Sequence, residues 1–175
     1  MLPASKSVSN RLLILNALAS GPRMPENLSD SDDTRFMRDA LESDREEKDI
    51  GHAGTAMRFL TAYYSCRPGT VIMTGSQRMK ERPVGVLVDA LRKLGASIGY
   101  LGREGYPPLR IRGRELKGGE LVIDGSISSQ FISALLMIGP LLKEGLELQL
   151  EGEIVSESYI NMTLELMKSC GAVFS

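Results

Sequence analysis

A lysine and several arginines stand among hydroxyls and glycines where loops would turn into helices. The phrases are Pro3-Ala4-Ser5-Lys6-Ser7-Val8-Ser9-Asn10-Arg11, Gly54-Thr55-Ala56-Met57-Arg58 and Gly75-Ser76-Gln77-Arg78-Met79-Lys80-Glu81-Arg82-Pro83. A helix start offers unpaired N–H donors and the positive end of the helix dipole, so it receives phosphate or carboxylate well. Ser126-Ile127-Ser128-Ser129-Gln130 is a fourth such junction. One junction alone says little; four in a chain of net charge -1 point to a small anionic ligand. The bland alternatives are structural. Arg58 inside a helix is also expected to pair with Asp32 or Asp33, Lys80-Glu81-Arg82 fits a solvated turn, and Ser31-Asp32-Asp33 reads as helix capping.

Composition removes other classes of function. The chain has 175 residues, enough for a proper core, with 42% hydrophobic and 25% charged residues, ordinary values for a globular protein. Lys+Arg 21 against Asp+Glu 22 leaves no field to attract nucleic acid or a membrane surface. No Trp and 5% aromatic residues also disfavour base stacking. No apolar run reaches the ~18 residues of a membrane span, and no signal peptide precedes Pro3, so a cytoplasmic location is expected. Cys66 and Cys170 follow no metal or redox spacing and are expected to be buried thiols in a reducing compartment. The single histidine, His52, lacks partners for a metal site or a hydroxyl–imidazole triad. No metal, cofactor or covalent nucleophile is expected.

The elements that position these residues repeat. Each unit has an apolar helix, a glycine, a short strand, a polar loop and a second amphipathic helix. The first unit predicts a helix from about Ser7 to Ala19 on Val8, Leu12, Leu15 and Ala19, ended by Gly21. A strand-like stretch near Asn27-Leu28 then leads to a helix from Thr34 to Leu41. The second predicts a helix from Thr55 to Ser65, a strand Thr70 to Thr74, and a helix opened by Pro83 with Val84, Leu87, Val88, Leu91 and Leu94 on one face. A strand near Ser97 to Leu101 follows. The third runs helix Ser129 to Leu142, strand Leu146 to Leu150, helix Ser158 to Ser169. Leu109 to Arg112 and Glu120 to Asp124 read as strands around a Lys117-Gly118-Gly119 turn. Helices 7–19 and 129–142 are apolar on most faces and are expected inside a ring of outer helices. Met57, Met137, Met162 and Met167 are expected to fill the core. The fold class is therefore α/β, a single globular unit of three repeats near residues 1–50, 51–116 and 117–175.

The ordered phrases resemble one family, 5-enolpyruvylshikimate-3-phosphate synthase (3-phosphoshikimate 1-carboxyvinyltransferase). Besides those above, Ala53-Gly54-Thr55-Ala56-Met57-Arg58, Tyr106-Pro107-Pro108-Leu109 and Asp124-Gly125-Ser126 through Ser128-Ser129-Gln130-Phe131 carry the likeness. The resemblance implies one half of a two-domain fold, three βαβαββ units around parallel inner helices, closing on ligands at the interface with a C-terminal half. Members are typically more than twice as long, so the likeness implies an N-terminal half alone, with the other half as partner.

The resemblance implies the following roles. Lys6 contacts both phosphoenolpyruvate and the reacting hydroxyl of shikimate 3-phosphate, and is the catalytic candidate. Ser7 and Arg11 meet the shikimate ring and carboxylate; Ser128, Ser129 and Ser156 hold the 3-phosphate, with Gln130 and Tyr159 lining the pocket. Gly54, Arg78 and Gln130 receive phosphoenolpyruvate. Ala4, His52 and Phe59 depart from the common glycine, asparagine and proline, which bears on phosphoenolpyruvate affinity and on response to glyphosate. The implied reaction is attack of the 5-hydroxyl of shikimate 3-phosphate on C2 of phosphoenolpyruvate, with loss of phosphate. The principal Asp and Glu of the family come from the other half, so this chain is expected to bind but not turn over alone. Two alternatives are a non-catalytic shikimate 3-phosphate binding module and a transferase acting on UDP-N-acetylglucosamine. The Ser128-Ser129-Gln130 phrase and the lack of a cysteine loop disfavour the latter.

Overall fold

The computed structural model describes residues 4–19 and 25–174. The first repeat is helical: α1 spans Lys6–Leu18, with the Ser5 hydroxyl accepting from Val8 N–H as its cap, and α2 spans Asp32–Glu42, capped by Ser31. Asp32 and Asp33 fill the first turn of α2, where carboxylates suit the dipole. The predicted strand near Asn27-Leu28 is absent; Asn27 instead holds a positive φ of 53°. The predicted stop at Gly21 lies outside the described residues.

A complete βαβαββ order follows. β1 (Glu47–Asp49) and β2 (Gly69–Thr74) pair in parallel across α3 (Gly54–Ser65). α4 (Gln77–Lys80) and α5 (Gly85–Lys93) lead to β3 (Ser97–Tyr100) and β4 (Leu109–Gly113), giving the sheet order β1-β2-β4-β3. The polar sequence Glu47-Lys48-Asp49 hides β1 from a hydrophobicity reading; what fixes it is pairing to β2. α4 forms inside the stretch read as a basic loop, because Ser76 caps it by accepting from Met79 N–H. Pro83 precedes the Val84 N-cap of α5 rather than occupying the first helical position. Val84, Leu87, Val88, Leu91 and Leu94 are buried as their spacing predicts.

The third unit repeats the parallel crossover: β5 (Gly119–Asp124), α6 (Ser129–Ile138), β6 (Leu146–Glu151), then α7 (Glu157–Ser169). α6 ends at Ile138, earlier than expected, where a short 3-10 turn over Gly139–Leu141 carries Pro140. Lys117-Gly118-Gly119 does not close a hairpin; β4 and β5 belong to different sheets, so the turn passes the chain from one sheet to the next.

Three helices form the interior. α3 packs against both α1 and α6, and every residue from Gly54 to Ala62 is buried. α1 buries Ser9, Asn10, Arg11, Leu13, Ile14, Leu15 and Leu18, while Val8 and Leu12 are half-buried and Ala19 exposed. Apolar residues all round that helix blurred its expected face. Met57, Met137 and Met167 are core residues and Met162 is half-buried. Neither thiol is fully buried: Cys66 is half-covered and Cys170 is exposed at the end of α7.

Candidate functional site

The two parallel crossovers end alike. After β1, Ile50 N–H donates to the Thr74 carbonyl at 3.1 Å and Ser76 N–H to the Gly51 carbonyl at 2.8 Å. After β5, Gly125 N–H donates to the Glu151 carbonyl at 2.7 Å and Val155 N–H to the Gly125 carbonyl at 3.1 Å. In each pair the loops leaving adjacent parallel strands are stitched side by side at the strands' carboxyl ends, where such sheets bind ligands. The stitch is tight: a Cβ at Gly75 would come 2.5 Å from the Gly51 carbonyl oxygen, so that position requires glycine. The segments that follow β1 and β2 carry His52, Arg78 and Arg82; those that follow β5 and β6 carry Ser126, Ser128, Ser129 and Ser156. The same scaffold thus presents cations at one pair of ends and hydroxyls at the other.

A line of polar contacts joins them. Lys6 Nζ, at the first turn of α1, lies 3.4 Å from Asp33 Oδ2. Asp33 Oδ1 accepts from Thr55 N–H at 3.4 Å, and Gln130 Nε2 donates to Thr55 Oγ1 at 3.2 Å. The starts of α1, α2, α3 and α6 therefore meet. A lysine at a helix N-terminus opposes the dipole; Asp33 offsets that cost while leaving the Lys6 side chain 49% exposed. Sequence reasoning treated Asp33 as a first-turn acid or a partner for Arg58 and missed Lys6, since that link spans 27 residues.

Arg11 sits differently from its expected role. It is 3% exposed, with Nε donating to Thr163 Oγ1 at 2.7 Å, Nη1 to the Ser7 carbonyl at 2.9 Å, and Nη2 to Ser133 Oγ at 2.9 Å and the Tyr159 carbonyl at 3.3 Å. Its guanidinium also lies over the Phe59 ring at 5.4 Å. Burial lowers Arg11 to about 10, with Tyr159 acting the other way. Arg11 is thus a clamp among α1, α6 and α7, with one Nη1 N–H not engaged by a described residue. Ser133 and Thr163, its hydroxyl partners, looked in sequence like ordinary helix-interior residues.

The hydroxyl side is open. Ser128 caps α6 by accepting from Gln130 N–H at 3.4 Å, and Ser129 is buried at the first helical position. Ser156, the N-cap of α7, has φ 60° and ψ 41° and makes no side-chain capping bond. A serine in the left-handed region is strained, and such strain clusters at functional sites. Tyr159 is 43% exposed one turn on.

The cationic side holds a cavity of about 420 Å³ lined by His52, Arg78, Met79 and Arg82. His52 Nε2 lies 3.5 Å from Asp32 Oδ2, which also accepts an ion pair from Arg35 through its Oδ1. Arg58 is 6% exposed and does not pair with Asp32 or Asp33 as expected; it donates through Nη1 to the Gly54 carbonyl at 2.8 Å and faces the Phe131 ring at 5.3 Å. The reason is that both aspartates are engaged elsewhere, by Lys6, Arg35 and His52. Burial and then Arg82 lower Arg58 to about 10, and Asp33 acts the other way. A larger hollow of about 700 Å³ lies at the far ends of α1, α2 and α3, lined by Ala17, Leu41, Lys48 and Tyr64 among others; it contains none of the predicted site residues.

The comparisons agree with this architecture. The model of the EPSP synthase family (3-phosphoshikimate 1-carboxyvinyltransferase) matches residues 41–174. A 3-phosphoshikimate 1-carboxyvinyltransferase of Bacteroides fragilis is 61% identical over 171 residues, covering 98% of this chain and 42% of that protein. The enzyme of the same name from Salmonella schwarzengrund is 48% identical, covering 97% of this chain and 46% of its own length. The chain thus spans less than half the length of these curated relatives. The solved structure of EPSP synthase from Acinetobacter baumannii superposes with a TM-score of 0.81 at 21% identity, over 100% of this chain and 44% of that one, and shows the fold. With a family model matched over most of its length and a fold shared with a solved member, this chain belongs to the EPSP synthase family.

Proposed function

We propose that the chain carries the shikimate 3-phosphate side of an enolpyruvyl transfer from phosphoenolpyruvate to the 5-hydroxyl of shikimate 3-phosphate, releasing phosphate, in the shikimate pathway of aromatic amino acid biosynthesis. The observation that carries this reading is the contact line Lys6–Asp33–Thr55–Gln130, which joins the starts of α1, α2, α3 and α6 between the arginine-bearing and the serine-bearing segments. Two anions in one cleft repel, and a half-exposed lysine on that line is suited to bridge them. Ser128, Ser129 and Ser156 hold the 3-phosphate in this reading, with Gln130 and Tyr159 beside it. Gly54, Arg78 and Gln130 take phosphoenolpyruvate. Ser7 meets the ring, and Arg11 acts mainly by fixing Ser7 and Tyr159, with its remaining Nη1 N–H available to the carboxylate.

The reaction needs an acid for the methylene carbon and a base for the hydroxyl. Asp33, the carboxylate on the contact line, is committed to Lys6 and Thr55. The acid–base pair therefore comes from a second globular half that closes on this one, the three repeats near residues 1–50, 51–116 and 117–175 making up the half described here.

Calorimetric titration of the purified chain with shikimate 3-phosphate and with UDP-N-acetylglucosamine tests the assignment. Saturable binding of the first alone is expected; binding of the nucleotide sugar in its place would overturn it. Turnover above a Lys6→Ala control would contradict the need for a second half.

A further inference from the structure

The only histidine of the chain lines the cationic cavity. The turn before it is pinned: Gly51 N–H donates to Asp49 Oδ1 at 2.9 Å, the Gly51 carbonyl accepts from Ser76 N–H at 2.8 Å, and Gly51 holds φ 54°. The Phe36 ring of α2 occupies the space a side chain at Gly51 would need, with its Cζ 2.5 Å from such a Cβ. The same ring meets the imidazole edge-on, centroids 5.9 Å apart at 81°. Asp32 Oδ2 lies 3.5 Å from His52 Nε2. Asp32 and Phe36 are spaced i,i+4, so one face of α2 supplies both the carboxylate and the ring that seat the imidazole.

Charges of both signs surround that seat. From α2, Asp32 faces the imidazole and is shared with Arg35, while Asp33 is held by Lys6 and Thr55. From α4 and the turn after it, Arg78 and Arg82 line the same cavity. The Arg82 guanidinium lies over the bare Cα of Gly54, its Cζ 3.0 Å from where a Cβ would stand, beside Arg58 of α3. On the strand side, Asp49 is engaged by the Gly51 N–H. Among the described residues no acid forms an ion pair with Arg58, Arg78 or Arg82. Imidazole is the side chain that ordinarily takes up a proton between about pH 5 and 8. Here Asp32 favours that proton and the arginines oppose it, and an anion in the cavity cancels the opposition.

We infer that His52 is a specificity-determining residue for the carboxyvinyl donor: its imidazolium adds a proton-dependent positive charge to the wall of the Arg78 cavity, so that phosphoenolpyruvate binds more tightly when His52 is protonated. The inference rests on the function proposed above, which places the donor at Arg78. Linkage makes the effect reciprocal, since the factor that the proton adds to donor affinity is the factor that bound donor adds to proton affinity. One unit charge on the same cavity wall as a dianion, in an exposed and salt-screened setting, contributes roughly fivefold. Asp32 and Phe36 are positioning residues here: they hold the imidazole against the cavity, and neither touches the donor.

With a single histidine in the chain, the imidazole NMR signal belongs to His52 without further assignment. The test follows that signal against pH in the full chain, alone and with saturating phosphoenolpyruvate or sulfate. Calorimetry on wild type and His52→Gln then gives the affinities for phosphoenolpyruvate, sulfate and shikimate 3-phosphate. A phosphate ester itself takes up a proton near about pH 6; sulfate stays doubly charged throughout and separates that event from the titration of His52. Both anions are expected to raise the His52 midpoint by about 0.7 in pH, which is the fivefold factor expressed as a proton affinity. Wild-type affinity for sulfate should rise roughly fivefold between about pH 8 and about pH 5.5, while His52→Gln stays flat. Shikimate 3-phosphate should bind the two chains alike near about pH 8. A midpoint that bound phosphoenolpyruvate leaves in place, or a wild-type response to pH in His52→Gln with sulfate, overturns the role of His52 and leaves the proposed function standing. Equal losses of phosphoenolpyruvate and shikimate 3-phosphate affinity in His52→Gln mean a fold effect and also overturn it. A wild type that binds shikimate 3-phosphate but neither phosphoenolpyruvate nor sulfate removes the donor seat, and one that binds none of the three removes the proposed function as well.

Discussion

At the scale of single residues, Lys6 and Arg11 separate function from stability. The Lys6–Asp33 pair is half in solvent, and such pairs contribute about 0–1 kcal/mol. Lys6→Ala should therefore leave the denaturation midpoint nearly unchanged while weakening shikimate 3-phosphate binding roughly tenfold or more, since a charge-assisted contact is lost. Calorimetry and urea melts on one sample check both halves of that statement. Arg11 should behave in the opposite sense. Arg11→Met removes four hydrogen bonds from a buried position, those to the Thr163 and Ser133 hydroxyls and to the Ser7 and Tyr159 carbonyls. A loss of about 2–4 kcal/mol in urea unfolding is expected. If Arg11→Met unfolds like wild type, the clamp is wrong. The thiols give a third contrast. Burial raises Cys66 to about 11, with Arg67 acting the other way, while Cys170 is exposed. Near about pH 8, where thiolate fraction sets reactivity, one thiol per chain should be modified quickly and the second only slowly. Because the folded value of Cys66 lies above the unfolded one, its contribution to stability is intact below the ordinary thiol range. It is lost as pH rises through about 11.

At the scale of elements, helix starts do the positioning, and Ser156 shows what that costs. Its left-handed φ is one glycine adopts without penalty. Ser156→Gly should raise stability by about 0.5–1 kcal/mol and weaken shikimate 3-phosphate binding, because the strained residue holds a free hydroxyl at the start of α7. A variant that loses stability, or binds as wild type, would show the strain to be incidental. Much of this level was legible in the chain. The α5 face of Val84, Leu87, Val88, Leu91 and Leu94, the cap Ser31, and the strand β2 follow directly from periodicity and side-chain chemistry. What was hidden depends on partners far away in sequence. β1 is too polar to read as a strand until β2 pairs with it. Arg82 looks like part of a solvated turn until Gly54 is seen beneath it, and Asp33 like a capping acid until Lys6 reaches it. Arg11 carried a ligand's charge in the sequence, and its burial came only with the packing of α1, α6 and α7. Lys117-Gly118-Gly119 has the chemistry of a hairpin turn, and only sheet topology shows that it links two sheets.

At the scale of the whole molecule, a repeated crossover presents two complementary clusters, cations at one and hydroxyls at the other. Both βαβ units stitch their outgoing loops by the same pair of backbone bonds, and substitutions in those loops give one unit arginines and the other serines. The inner helix α3 joins them: Gly54 and Thr55 stand at the cationic end, and Thr55 receives Gln130 from the hydroxyl end. This arrangement explains how a chain of net charge -1 can present local positive potential without a basic surface overall. It also predicts that shikimate 3-phosphate binds to this chain before any second half closes, because the residues assigned to it sit on helix ends held by the chain's own core. The most direct measurement is a two-dimensional amide NMR titration of the chain with shikimate 3-phosphate. The account predicts saturable shifts concentrated at Lys6, Ser7, Ser129, Gln130 and the start of α7, with the far ends of α1, α2 and α3 silent. A dispersed spectrum that does not move, or shifts centred on the Lys48–Tyr64 hollow, would contradict it.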